Sequence, residues 1–223
     1  MKMVSDFVSN MLPETTLNDF CQQITALFSQ VIAAAKANIN MMKPEQRPAA
    51  SAAVYSRHQQ QVWLIGDCQC MADGVLYEND KPAEAVNAAK RSRFIHQLFK
   101  ERNENYAQES NLTKELQVHD IGRDYIIEDI VKSMQGANST YAVIDGTPIY
   151  KKGVRVIDVS NVHELVLATD GYPFLKSTLK DSEKALATLL YNDPLCVNEY
   201  IATKGMMKGY QSFDDRTYIR FRL

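Results

Sequence analysis

The apolar positions of this chain follow two spacings, and each spacing names an element. Leu17, Phe20, Cys21, Ile24, Leu27, Phe28, Val31, Ile32 and Ala35 recur at three- and four-residue intervals. One wide apolar stripe of that kind predicts a helix, with Thr16 or Asn18 available to cap its start. Pro44 and Pro48 make residues 40–50 a connector, because proline has no amide proton and clashes inside a helix. Ala50–Tyr55 and Gln61–Ile65 flank the polar stretch Ser56–Gln60, the pattern of a hairpin. A third strand is expected from Cys70 to Tyr77, bent at Asp73-Gly74.

Asn79-Asp80-Lys81-Pro82 reads as the start of a second long helix, with a carboxylate and a first-turn proline where both are tolerated. That helix offers Ala85, Val86, Ala89, Ile95, Leu98 and Phe99 to a core. Residues 101–120 are polar and carry no clear pattern, and a short helix is expected from Asp124 to Met134. Strands are expected at Thr140–Asp145 and Gly153–Asp158, with Asp145-Gly146-Thr147-Pro148 turning between them. A strand at Glu164–Asp170, a helix at Ser177–Tyr191, a Gly/Met/Lys-rich loop at Ala202–Gly209 and a final hydrophobic strand at Arg216–Phe221 complete the chain. Many strands with a few helices at separate positions predict an α+β sandwich, here as a single domain over residues 1–223. A dinucleotide fold fits poorly, because no glycine fingerprint follows the early strands and Val62–Asp67 leads into another strand.

Composition narrows the function classes. A chain of 223 residues, 45% hydrophobic and 23% charged, can fill one substantial core. A formal charge of −2 gives no electrostatic reason for a nucleic-acid partner, and Lys90-Arg91-Ser92-Arg93 reads as the wet face of a helix. Cys21, Cys68, Cys70 and Cys196 read as reduced thiols, since they make neither a disulfide framework nor a tetrahedral metal set. No apolar run approaches the ~20 residues of a membrane span. The opening residues lack the apolar core of a signal peptide, so no membrane and a cytoplasmic location are expected.

Candidate chemistry rests on three aspartates beside apolar strands. Asp67 closes Val62–Gly66, Asp170 ends Glu164–Thr169 before Gly171, and Asp214 opens the approach to the last strand. Strands that deliver carboxylates to one edge can hold hard cations. The same residues serve equally as turn aspartates that accept backbone amides. His58, His96, His119 and His163 form no ligand spacing and read as surface or packing residues, and Trp63 as sheet packing. Gly205–Gly209 reads as a surface loop or a flap near the site.

The order of these pieces over residues 50–223 resembles the metal-dependent protein phosphatases of the PP2C type. Ala52–Tyr55 followed by Val62–Gln69 resembles that family's strand–turn–strand leading into Gly-Asp-Ser-Arg. Leu165–Gly171 is similar to its Leu-Leu-Ala-Ser-Asp-Gly motif, and Asp214-Asp215-Arg216-Thr217 to its terminal Asp-Asn-x-Thr. The resemblance implies a four-layer α-β-β-α sandwich of two antiparallel sheets, with the Leu17–Ala35 helix on its outside. It implies two Mg²⁺ or Mn²⁺ ions, with Asp170 and Asp214 as metal ligands and Asp67 organising metal-bound water. Asp67, Asp170 and Asp214 would then be the catalytic set, and hydroxide the nucleophile on a phosphoserine or phosphothreonine.

Departures from the family are equally specific. The early Asp-Gly-(Met/His)-Gly metal motif has no counterpart, and Cys68-Gln69 stands where Ser-Arg is usual. Ser5-Asp6-Phe7 falls about where the helix after that motif begins, so the fold is expected to be N-terminally incomplete. An open sheet edge of that kind invites a homodimer or strand addition. Two functions follow: a phosphatase acting on a phosphoprotein substrate, or a catalytically inactive module of the same fold that binds a regulatory protein.

Overall fold

A computed structural model describes residues 2–79, 81, 83–107 and 110–223. It is a mixed α+β protein with two antiparallel sheets and, among the described residues, six α-helices. The chain divides into two compact units, one of Met1–Lys81, Met134–Leu167 and Ile219–Leu223, the other of Pro82–Ser133 and Ala168–Tyr218.

The first unit is built around one strand. Helices α1 (Lys2–Ser9) and α2 (Leu17–Ala34) precede a three-stranded sheet of β1 (Ala52–Ser56), β2 (Gln61–Ile65) and β5 (Arg155–Asp158), in the order β1-β2-β5. Val62, Trp63, Leu64 and Ile65 are all buried, a run that demands cover on both faces because neighbouring side chains point opposite ways. Trp63 and Ile65 meet Phe20, Cys21, Ile24 and Phe28 of α2 in one cluster. Val62 and Leu64 share a second cluster with Cys70, Ala72, Leu165 and Leu167 of the other sheet. That second sheet runs β4-β3-β6-β7, with β3 at Gln69–Ala72, β4 at Val75–Glu78, β6 at Glu164–Ala168 and β7 at Tyr218–Arg222. The predicted α2 is capped as expected: Thr16 Oγ1 accepts from the Asp19 amide and the Asp19 carboxylate accepts from the Thr16 amide.

Several local expectations are corrected. The strand expected over Cys70–Tyr77 is a tight hairpin, because Asp73 (φ 45°) and Gly74 (φ 85°) both turn left-handed. Thr140–Asp145 does not become a strand. The Asn138 side chain hydrogen-bonds the Val143 amide and carbonyl, and the stretch makes isolated bridges, Ile144 to Ala50 and Tyr141 to Ala137. Helix α1 has no buried residue and was invisible to a reading based on core periodicity. The helix start read at residues 79–82 includes Asp80 and Pro82, which lie outside the described residues.

The second unit is organised by buried charge. It holds α3 (Glu84–Glu101), α4 (Asn111–Val118), α5 (Ile121–Met134) and α6 (Leu179–Asn192). Ile95, Phe99, Leu112, Leu116, Leu195 and Val197 form its apolar cluster. Arg91, expected on a wet face, is 0% exposed, and Val86, expected in the core, is 66% exposed. The guanidinium forks onto Asp120 at 2.7–3.3 Å and donates through Nη1 to the carbonyls of Leu195 (2.9 Å) and Ala202 (3.1 Å). Asp120 in turn accepts from the amides of Arg123 and Gly205. Asp193, also 0% exposed, accepts from the amides of Val197, Asn198 and Glu199 and from the Tyr106 hydroxyl. These two carboxylates replace the ladder hydrogen bonds that the long 193–206 loop lacks.

Removing one partner of a buried ion pair strands the other charge. Arg91→Met is therefore expected to cost about 3–5 kcal/mol, read by denaturant unfolding followed by far-ultraviolet circular dichroism. The double variant Arg91→Met/Asp120→Leu should lose clearly less than the two single variants added together.

Candidate functional site

Two of the three sequence-predicted aspartates sit on segments that touch. Beyond β6, the Thr169 amide donates to the Thr217 carbonyl (3.2 Å), and the Thr217 amide donates back to Thr169 Oγ1 (3.0 Å). At the next turn a side chain on Gly171 would place its Cβ 2.3 Å from the Asp215 carbonyl oxygen and 2.8 Å from Arg216 Cβ. Only glycine permits that approach. The Asp170-Gly171 turn is thereby pressed against the Asp214–Arg216 segment, and both Asp170 and Asp214 are half-buried.

The charges around them are already matched. Asp214 Oδ1 lies 2.5 Å from Lys204 Nζ and also accepts from the Asp215 amide at 2.9 Å. Arg216 grips Glu183 with two hydrogen bonds of 2.8 and 2.9 Å, and the Tyr172 hydroxyl donates to the same carboxylate at 2.6 Å. The bonds from Arg216, then from Tyr172, hold the Glu183 carboxyl below the usual carboxylate range against its partial burial. Burial and the Glu183 charge push the Tyr172 phenol up to about 12, so it stays a donor. These side chains border an open cleft of about 600 Å³ that Tyr218 also lines.

Asp67 belongs to the first unit and has its own partners. Ser51 Oγ donates to Asp67 Oδ1 at 2.5 Å, and the Lys81 ammonium pairs with Oδ2. Gly66 (φ 76°) makes the arrangement possible, since a Cβ there would stand 2.2 Å from Ser51 Oγ. Burial raises the Asp67 pKa, but the Lys81 charge and the hydrogen bonds from Lys81 and Ser51 outweigh it and hold the carboxyl below its ordinary value. Cys70 is buried and its thiol is pushed up to about 12 by desolvation, which makes it packing rather than chemistry. The four histidines are exposed, and Asp145 is a buried tie for Arg47, Asn138 and Thr147.

Mg²⁺ and Mn²⁺ need free oxygen ligands. Asp214 is ion-paired with the Lys204 ammonium and Asp67 with that of Lys81. Among the described residues no group of three or more His, Cys, Asp or Glu side chains comes together to hold a metal ion. The lysines were missed by a reading that looked for carboxylates alone. The only trace of Lys204 in the sequence is its place in the Gly/Met/Lys-rich loop.

The lowered Asp67 pKa fixes the sign of a pH effect. As pH falls, the unfolded chain takes up its proton first, near 3.8, so the ion pair's contribution is complete above the ordinary carboxylate range and fades as pH drops through the lower native value. Asp67→Asn should cost about 1–3 kcal/mol at neutral pH. Its difference from wild type should shrink by about pH 3, as measured by paired denaturant titrations.

No helix among the described residues is long and apolar enough to cross a membrane. No family model, no curated protein and no solved structure matches this chain.

Proposed function

We propose that the chain is a PP2C-like four-layer α-β-β-α sandwich that works as a non-catalytic interaction or regulatory module. The observation that carries this reading is the Lys204 ammonium on Asp214, a pairing that Lys81 repeats on Asp67. A divalent ion beside either carboxylate would stand within a few ångströms of a fixed positive charge. Two unit charges about 4 Å apart repel by about 4 kcal/mol at a near-surface dielectric, and a divalent ion doubles that to about 8 kcal/mol. The stacked sheets with α2 on the outer face of β1-β2-β5 support the fold half of the proposal. The partner in this reading is a regulatory protein or a phosphoprotein that is bound without being hydrolysed.

A second reading, a Mg²⁺- or Mn²⁺-dependent serine/threonine phosphatase, is favoured by one specific contact. Gly171 against Asp215 brings the Asp170 and Asp214 segments together, as a metal-dependent hydrolase would require. Hydrolysis of p-nitrophenyl phosphate and of a phosphothreonine peptide, with either ion at millimolar concentration, separates the two. The expected rate equals that of protein-free buffer, with Asp170→Asn and Asp214→Asn indistinguishable from wild type. Turnover that both substitutions abolish would replace the first reading with the second.

A further inference from the structure

Strand β5 is an edge. Its sheet runs β1-β2-β5, so among the described residues β5 has a partner strand on one side only. The opposite edge is covered: Ala50, just before β1, exchanges backbone bonds of 2.9 and 3.0 Å with Ile144. Register decides which groups of β5 face outward. Ile157 lies opposite Val62 and Val156 opposite Trp63, and one step beyond, the Val159 amide donates to the Gln60 carbonyl at 2.9 Å. Bonded pairs alternate along an antiparallel ladder. Arg155 and Ile157 therefore turn their backbone groups toward β2, while Val156 and Asp158 turn theirs away from the sheet.

Side chains leave this edge open as well. Val156 stands opposite the fully buried Trp63 yet is itself 45% exposed, so the cover over Trp63 stops short of β5. Arg155 folds back onto its own chain, where Nη1 donates to the Glu78 carbonyl and the guanidinium lies 5.3 Å from the centroid of the Tyr77 ring. Charges that blunt an edge repel an incoming strand. On β5 they differ in sign at the two ends: Lys151 and Lys152 precede the strand and Asp158 closes it, all three exposed. A second copy laid antiparallel sets the basic start of each strand beside the acidic end of the other. A parallel copy sets like charges together. The segment Lys151–Asp158 is thus complementary to itself about a twofold axis.

We infer that two copies of this chain pair antiparallel through β5, about a twofold axis at Val156, and so join their three-stranded sheets into one continuous sheet. At the axis the two Val156 residues exchange backbone bonds and lay their exposed side chains against each other, a cross-strand apolar pair. Asp158 of each copy then comes diagonally within reach of Lys152 of the other. The dimer goes beyond the reading of the cleft beside Asp214 and does not depend on whether that cleft hydrolyses phosphate.

Sedimentation equilibrium of the full chain tests this directly. Wild type should dimerise reversibly, with half association at or below about 0.1 mM. Proline at position 156 removes no bond of the folded chain, because that amide points away from β2. Val156→Pro should therefore keep the wild-type circular dichroism spectrum and weaken dimerisation at least about tenfold. Lys152→Glu and Asp158→Lys should each weaken self-association, whereas an equimolar mixture of the two should form a mixed dimer as tight as wild type, since both contacts are then of opposite sign. Wild type that stays monomeric up to about 0.5 mM would overturn the inference. So would a dimer that Val156→Pro leaves intact, or a mixture that associates no better than either charge variant alone. Should circular dichroism show Val156→Pro unfolded, Val156→Lys sets two ammonium groups against each other at the axis and takes its place under the same criteria. None of these readouts is turnover, so their failure leaves the non-catalytic reading to its own assay.

Discussion

A strand buried on both faces must be covered twice, and β2 imposes that constraint on the first unit. Val62, Trp63, Leu64 and Ile65 each lie at or near zero exposure. Burying four such side chains is worth on the order of 1.5–3 kcal/mol each, but only if a layer exists above and below. The helix α2 supplies one layer through Phe20, Ile24 and Phe28, and the second sheet supplies the other through Cys70, Ala72, Leu165 and Leu167. Trp63 also packs against Phe20 with ring centroids 5.8 Å apart, so the largest side chain of the core locks helix to sheet.

The second unit solves a different problem. Its long loop between α6 and β7 carries backbone donors and acceptors without a regular ladder to join. Arg91 and Asp120, together with Asp193, satisfy them from inside. A planar guanidinium with five donors can serve a carboxylate and several carbonyls at once, which an ammonium cannot. The cost of burying those charges is offset only because every one of them is hydrogen-bonded, so the geometry of the loop is specified as tightly as that of an apolar core.

Rigidity of that loop has a chemical consequence. Carboxylates gathered near one another repel unless something positive stands between them. At Asp214 the Lys204 ammonium pairs with the carboxylate, carried on a backbone that Arg123 and Asp120 hydrogen-bond on either side. The neighbouring Arg216–Glu183 pair is satisfied in the same internal manner.

Much of the layered architecture was legible in the sequence, because burial leaves a period. The stripe over Leu17–Ala35, the hairpin around Ser56–Gln60 and the continuous apolar runs of β2 and β6 are all one-dimensional shadows of a core. The turn at Asp73-Gly74 was also visible, though it joins two strands rather than bending one. Arg91 was misread because its charge outweighed its position, although Ala88 and Ile95, three residues before it and four after, mark the buried face. By itself the sequence determined which segments carry aspartates and which strands present them. Only the tertiary structure decided what each aspartate faces: Lys204 reaches Asp214 and Lys81 reaches Asp67 across turns whose paths no periodicity records. The physical reason is that hydrophobic burial acts on every second or fourth residue and so writes itself along the chain, whereas a single ion pair depends on where two backbones happen to meet.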